Sequence, residues 1–298
     1  MTSPRTDEKS NSCFSNQAPI EILAPAKLNL LLKITGQRAD GYHELLSVLV
    51  PVHLYDNLRI SKLEKGLEVH STGRELPRAK DNLVDRAAVS FFEKTGITKG
   101  AKITVIKKIP VSAGLGGGSS DAAATLKGLN ELWGCPLSRE DLGRLALPLG
   151  ADVPFFLLQR PSIARGIGEI LQPIEDFPSF WYVIVSPNLM VSTAWAYRGV
   201  KLRLTNKDNQ SRVESLKKAT FNIPGILSND LESVTLSEYP FLCSIKASLI
   251  KSGALGALMT GSGPSLFGLF DSAEKAREAG KIMARQWRDG DVFVVKGI

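Results

Sequence analysis

The chain has 298 residues, 43% of them hydrophobic, which is enough for two domains with cores of their own and excludes an intrinsically disordered protein. Its longest apolar runs, such as LNLLLKI and PFFLL, are far too short to span a bilayer, so no membrane role is expected. The 37 Lys and Arg exceed the 30 Asp and Glu to leave a net charge of +7; with no arginine-rich helix, aromatic RNA-binding strand or zinc-finger spacing, that excess points to an anionic small molecule rather than to nucleic acid.

Residues 1–18 are rich in Ser, Asn and Thr and lack periodicity, which predicts a disordered tail. Asp7 and Glu8 and the lack of an apolar stretch argue against a secretory signal. Cys13, Cys135 and Cys243 are odd in number and far apart, which favours a reducing compartment over a disulfide framework. The three histidines are too dispersed for a metal cluster.

From Ile20 to Ile34 alternation predicts a strand, with Leu28, Leu30, Leu32 and Ile34 on one face and Lys27, Asn29, Leu31 and Lys33 on the other. Lys27 and Asn29 are therefore neighbours, although a lysine on a strand is usually a solvated residue. A turn is expected at Asp40 and Gly41, with Tyr42 and His43 directly after it, where an aromatic ring and an imidazole either anchor a loop or meet a flat ligand. LRISKLEKGLEVHST reads as further strands. A helix is expected from Asp81 to Lys94, capped by Asp81 or Asn82, with Leu83, Val84, Ala87, Ala88 and Phe91 buried.

The strand AKITVIKKI then feeds the stretch PVSAGLGGGSSDAAATLKGLNELW, a Gly-rich turn running into a helix. Ala122, Leu126, Leu129, Leu132 and Trp133 recur on one helical face, Ser119, Ser120 and Asp121 are expected to supply cap oxygens, and Gly134 closes the helix. Gly114, Gly116, Gly117 and Gly118 lack a Cβ and let an anion approach the main-chain amides, and the helix N-terminus adds its unsatisfied N–H groups and dipole. That combination describes a phosphate cradle. It is neither a Walker A loop, since no GK[ST] follows, nor a dinucleotide fingerprint, which needs an acidic residue about 20 positions on.

A short helix capped at Ser138 is expected to end at Pro148 and Gly150. In GADVPFFLL, Asp152 is the only charge in an apolar run, and such a carboxylate must be paired or change its protonation state; Lys27 is the partner nominated. The pattern changes between Gln159 and Pro178, giving an expected division into domains at 19–162 and 163–298. The second half reads as strand WYVIVSP, helix VSTAWAYRGV, a basic insertion over 202–220, helix FLCSIKASLIKSG, strand ALMT, a Gly turn TGSGP, strand LFGLF, helix SAEKAREAGKIMARQW and strand VFVVK. That βαββαβ order is the ferredoxin-like arrangement.

PAKLNLLLKI, PVSAGLGGGSSDAA and LMTGSGPSLFG together resemble the three motifs of the GHMP kinases, the family of galactokinase, homoserine kinase, mevalonate kinase and phosphomevalonate kinase. DGYHEL and GADVPFF narrow the resemblance to the members that phosphorylate the 2-hydroxyl of a cytidine diphosphate-linked methylerythritol for isoprenoid synthesis. The resemblance implies an α+β fold, with an N-terminal S5-like β/α domain and a C-terminal ferredoxin-like domain. It also implies ATP and Mg²⁺ as cofactors, a monomer or homodimer, and a bacterial cytoplasmic or plastid setting. By resemblance Pro110, Val111, Ser112, Ala113, Gly114, Leu115, Gly116, Gly117, Gly118, Ser119 and Ser120 are the ATP phosphate loop, Asp152 is the base, and Lys27 orients it and offsets phosphoryl charge. Tyr42, His43 and Tyr197 would hold the cytosine, Asn29 lies where substrate contacts are expected, and Thr260, Gly261, Ser262 and Gly263 shape the site. Two departures stand out: Ser112 replaces a commoner Gly, and Asp121 a commoner Asn, with the cap function retained. The rival readings are a GHMP kinase for mevalonate, homoserine or a sugar, and a catalytically idle binding paralogue.

Overall fold

The structure is a computed structural model that describes residues 18–76, 81–200 and 222–298; the expected tail through residue 17 and the basic insertion lie outside the described residues. Strands β1 (Ile20–Gln37) and β2 (His43–Leu63) form a long antiparallel pair, followed by β3 (Leu67–Gly73), α1 (Leu83–Thr95), β4 (Gly100–Lys107), α2 (Gly117–Leu132), α3 (Arg139–Ala146) and α4 (Val153–Leu158). Next come β5 (Ser162–Arg165), β6 (Ile170–Pro173), β7 (Trp181–Pro187), α5 (Thr193–Gly199), α6 (Ile223–Ile226), β8 (Ser228–Asn229), α7 (Glu232–Glu238) and α8 (Phe241–Lys251). The chain ends with β9 (Gly256–Met259), β10 (Leu266–Phe270), α9 (Ala273–Gln286) and β11 (Gly290–Lys296).

The first sheet has the order β3-β4-β2-β1-β8, with β5 on β2 and β6 on β5. The β1–β2 connection is the expected turn: Gly41 sits at φ 87° and its amide donates to the Arg38 carbonyl at 3.0 Å, while the Tyr42 amide donates to Asp40 Oδ1 at 3.1 Å. Strict alternation along β1 is broken by a register shift between Asn29 and Leu31. Leu31, expected on the face of Lys27, consequently packs in the same apolar cluster as Leu28 and Leu30, because a bulge re-aims the residues that follow it.

Helices α1 and α2 lie on this sheet. Phe91, Phe92 and Trp133 form an aromatic corner between them, with the Phe92 and Trp133 rings 5.4 Å apart and edge-on. Asn82 caps α1 by accepting from the Val84 amide at 3.0 Å, as expected, and Leu83, half-buried, packs against the core while also lining a cavity. The expected cap of α2 is corrected. Gly116, at φ 72°, is the N-cap, and no side chain caps the helix; Ser119, Ser120 and Asp121 fall inside it. Its first amides are therefore left without side-chain acceptors, which keeps them available to an outside anion.

The second sheet, β11-β7-β10-β9, is wholly antiparallel in its pairings and has the ferredoxin-like order, with α8 and α9 packed on it. Residues 163–173, expected with the second half, instead form β5 and β6 on the first sheet, so the sheet changes between Pro173 and Trp181. β5 pairs with β2 through Ser162, Ile163 and Ala164, and Ile163 and Ala164 are buried in the core. The two sheets share one apolar cluster in which Leu28, Leu30 and Leu115 meet Tyr182, Leu258 and Phe267.

Two glycine turns touch where the halves meet. Gly114 has φ 77°, and a Cβ there would stand 2.2 Å from the Thr260 carbonyl oxygen, a backbone atom that cannot step aside. Gly114→Ala is expected to destabilise the protein by at least about 1–3 kcal/mol from the backbone conformation alone, with the clash in addition; a denaturant midpoint unchanged from wild type would show that the turns do not dock this tightly.

Candidate active site

A cavity of about 1060 Å³ runs along the junction, walled by the glycine loop, the start of α2, the β1–β2 turn and α5. Ligand pockets typically measure about 300–1,000 Å³, so this one has room for a nucleotide beside a second substrate. Pro110, Val111, Ser112, Ala113, Gly114, Gly116, Gly117, Gly118 and Ser119 line it. Leu115 and Ser120 do not. Leu115 is fully buried in the cluster between the sheets, and Ser120 is buried within the first turns of α2. The loop is thus pinned by its one large apolar residue while its small residues face the opening. Ser112 sits at φ 53°, a left-handed conformation that costs a residue with a Cβ about 1–2 kcal/mol, which is why glycine is the easier occupant there.

At the bottom of the cavity the Lys27 backbone amide donates to the Leu115 carbonyl at 2.9 Å, fastening β1 to the loop. The Lys27 side chain is 5% exposed, and its Nζ lies 3.6 Å from Asp152 Oδ2, whose side chain is 37% exposed to the cavity. The ammonium is buried and the carboxylate is accessible. Asp152 precedes α4, whose Phe156 ring packs against the Gly116 backbone, so a Cβ at Gly116 would meet that ring at 2.7 Å and Lys27 Cγ at 3.0 Å. Gly116 is what allows the loop, the lysine and the carboxylate to converge.

Asn29 accepts a hydrogen bond from Lys27 Nζ at 2.5 Å, donates through Nδ2 to Ser47 Oγ at 3.0 Å, and its backbone amide donates to Thr260 Oγ1 at 3.0 Å. Expected as a substrate contact, Asn29 lines the cavity but spends its carboxamide oxygen on Lys27. It fixes the direction of the ammonium. Thr260 is fully buried and joins Asn29 to the Gly114 carbonyl at 3.3 Å, and Gly263 packs on Met259, whereas Gly261 and Ser262 reach the cavity wall. Ser262 Oγ and Thr193 Oγ1, 3.1 Å apart, tie that turn to α5.

The far end is aromatic. The His43 and Tyr197 rings are 5.4 Å apart and tilted by 38°, and Tyr42 beside them is 60% exposed. Burial, and then the Asp152 charge, hold the Tyr197 hydroxyl well above its usual pKa, so it stays protonated and the carboxylate lies within electrostatic reach of the ring pair. His53 and His70 sit away from the cavity, on Tyr55 and Glu68.

One cluster was not anticipated. Lys107 Nζ contacts both Asp56 Oδ2 and Asp121 Oδ2, all three side chains being at most 2% exposed, and Lys107 and Asp121 reach the cavity wall behind Gly117. Asp56 Oδ1 also accepts from the Lys108 and Ile109 amides at 2.6 and 2.9 Å. A signal existed: Asp56 shares the parity of Leu54, Leu58 and Ile60, the buried face of β2. Lys107 likewise continues the parity of Ala101, Ile103 and Val105, the buried face of β4, whereas Lys108 falls on the opposite parity.

Residues 82–160 match the family profile described as GHMP kinases N terminal domain, and residues 209–289 that of GHMP kinases C terminal. A protein of Syntrophotalea carbinolica named 4-diphosphocytidyl-2-C-methyl-D-erythritol kinase is 44% identical over 89% of this chain and 95% of its own length. One of Geobacter metallireducens with the same name is 44% identical over 93% and 97%. The crystal structure of a 4-(cytidine 5'-diphospho)-2C-methyl-D-erythritol kinase superposes with a TM-score of 0.79 at 37% identity, covering 93% of this chain and 99% of that one. A homoserine kinase from Cytophaga hutchinsonii, at 20% identity and TM-score 0.74 over 97% of each chain, shares the fold. With two family profiles and relatives of this identity spanning nearly its whole length, the chain belongs to the GHMP kinases, in the branch of the 4-diphosphocytidyl-2-C-methyl-D-erythritol kinases.

Proposed function

We propose that the protein transfers the γ-phosphoryl group of ATP to the 2-hydroxyl of 4-diphosphocytidyl-2-C-methyl-D-erythritol. The observation that carries this reading is the Lys27–Asp152 pair, 3.6 Å apart at the mouth of an uncapped helix N-terminus inside one cavity with an aromatic end.

The amides of Gly116 to Ser119 and the dipole of α2 receive the ATP phosphates. Asp152, the accessible carboxylate, accepts the proton of the acceptor hydroxyl as its oxygen forms the new P–O bond, and the bond to the bridging oxygen breaks to release ADP. Lys27, held by Asn29, orients Asp152 and stabilises charge on the transferring phosphoryl; positioning and electrostatics supply most of what such a transfer requires. His43 and Tyr197 flank the cytosine, with Tyr42 beside them. No group of three or more His, Cys, Asp or Glu side chains suited to a metal occurs among the described residues. An Mg²⁺ ion brought with ATP would offset charge on the nucleotide phosphates, and Lys27 and Asp152 perform their roles from their own positions. Residues 19–173 would form the nucleotide-binding domain, completed by β8, and the rest the ferredoxin-like domain. Among the described residues no helix is long and apolar enough to cross a membrane.

Asp152→Asn is expected to lower kcat by about 10²–10⁴-fold, the usual worth of a general base, while calorimetry still detects ATP binding; turnover near the wild-type rate would remove Asp152 from that role. Tyr197→Ala is expected to raise KM for the cytidyl substrate by about 5–150-fold, the equivalent of 1–3 kcal/mol of base stacking, and to leave KM for ATP unchanged. Equal ATP consumption with mevalonate, homoserine and the cytidyl alcohol would contradict the assigned acceptor.

A further inference from the structure

Behind the cradle two carboxylates share one ammonium, and their hydrogen bonds are unequal. Asp56 is fully engaged as an anion, with Lys107 on one oxygen and two backbone amides on the other. Asp121 has Lys107 at 2.8 Å on Oδ2, but its Oδ1 is buried and has no partner among the described residues. Two like charges beside a single cation in a dry site favour a proton on the less well bonded one. Asp121 is that group.

The position of the cluster couples it to the ligand. Asp121 is the fifth residue of α2, and a Cβ on Gly117 would stand 2.8 Å from Lys107 Nζ, so the cluster lies directly beneath the amides that face the cavity. With both acids ionised it carries a net negative charge under an anion site; with Asp121 protonated it is neutral. Resting on the ATP reading above, we propose that Asp121 sets the nucleotide affinity of the cradle by holding a proton while the triphosphate is bound.

The direction follows from the surroundings. The charged groups acting on Asp121 are Lys107 from β4 and Asp56 from β2, while Lys27 of β1 and Asp152 ahead of α4 are paired with each other across Gly116. Burial pushes the Asp121 carboxyl up to about 7, Asp56 adds to the rise, and Lys107 opposes it. The group thus titrates in the neutral range, and a bound polyanion raises it further. By linkage, the nucleotide binds most tightly when Asp121 is protonated and loses affinity as pH rises through neutrality.

The test is ATP binding by calorimetry from pH 6 to 8.5 for the wild-type protein and Asp121→Asn, whose side chain is neutral at every pH and still accepts from Lys107. Wild-type affinity is expected to fall by about tenfold more than that of the variant, one unit of carboxyl shift being tenfold; the difference between the two cancels the titration of ATP itself. Parallel profiles overturn the proposal and leave the ATP reading standing, whereas no ATP binding by either protein overturns both. Should the variant not fold, the Asp121 carboxyl resonance of labelled wild-type protein decides: a midpoint near neutrality that rises with ATP supports the proposal, and a carboxyl ionised from pH 5.5 upward with and without ATP overturns it.

Discussion

Lys27 is the residue on which the rest of the site depends, because one side chain and one amide of a single strand residue make three attachments. Its amide holds the glycine loop at Leu115, and its ammonium is directed by Asn29 toward Asp152. An ammonium this deeply buried is tolerable only with partners in place. Asn29, Ser47 and Thr260 form a relay that connects β1, β2 and the turn at residues 260–263, so the position of the charge is set by three separated parts of the chain. The result is an asymmetry suited to proton transfer, with the cation fixed in the wall and the carboxylate facing the opening.

The glycines of the loop serve its packing. Gly114 lets one turn lie against the carbonyl of another, and Gly116 makes room for Phe156 and the stem of Lys27. Leu115 between them plugs the loop into the apolar cluster shared by the two sheets. A loop anchored by a buried leucine and left uncapped at its helix is rigid where it is held and keeps its first amides free of side-chain acceptors, the kind of pre-organisation that the proposed phosphate binding would use.

The charge beneath the cradle follows a different logic. Lys107 stands among carboxylates, and its two neighbours outnumber it, so the protonation state of Asp121 becomes a property of the whole site instead of one residue. Asp121, expected from sequence to supply a cap oxygen, lies inside α2 and adds a carboxyl to the buried cluster.

Much was legible in the linear order of residues: the strand at Ile20, the capped helices at Asn82 and Ser138, the cradle motif, the ferredoxin-like succession of elements, and the isolated charges at Lys27 and Asp152, all signals carried by periodicity, cap chemistry or an ion in an apolar run. Other features depend on partners distant in the chain. The hairpin of β5 and β6 exists because β2 offers it an edge, the bulge in β1 redirects Leu31, and Asn29 is a support for Lys27 because Thr260, 231 positions away, completes its hydrogen bonds. Local pattern determined which groups are charged, small or apolar; only the folded chain decided which of them share a dry site, since burial and pairing are properties of neighbours brought from elsewhere.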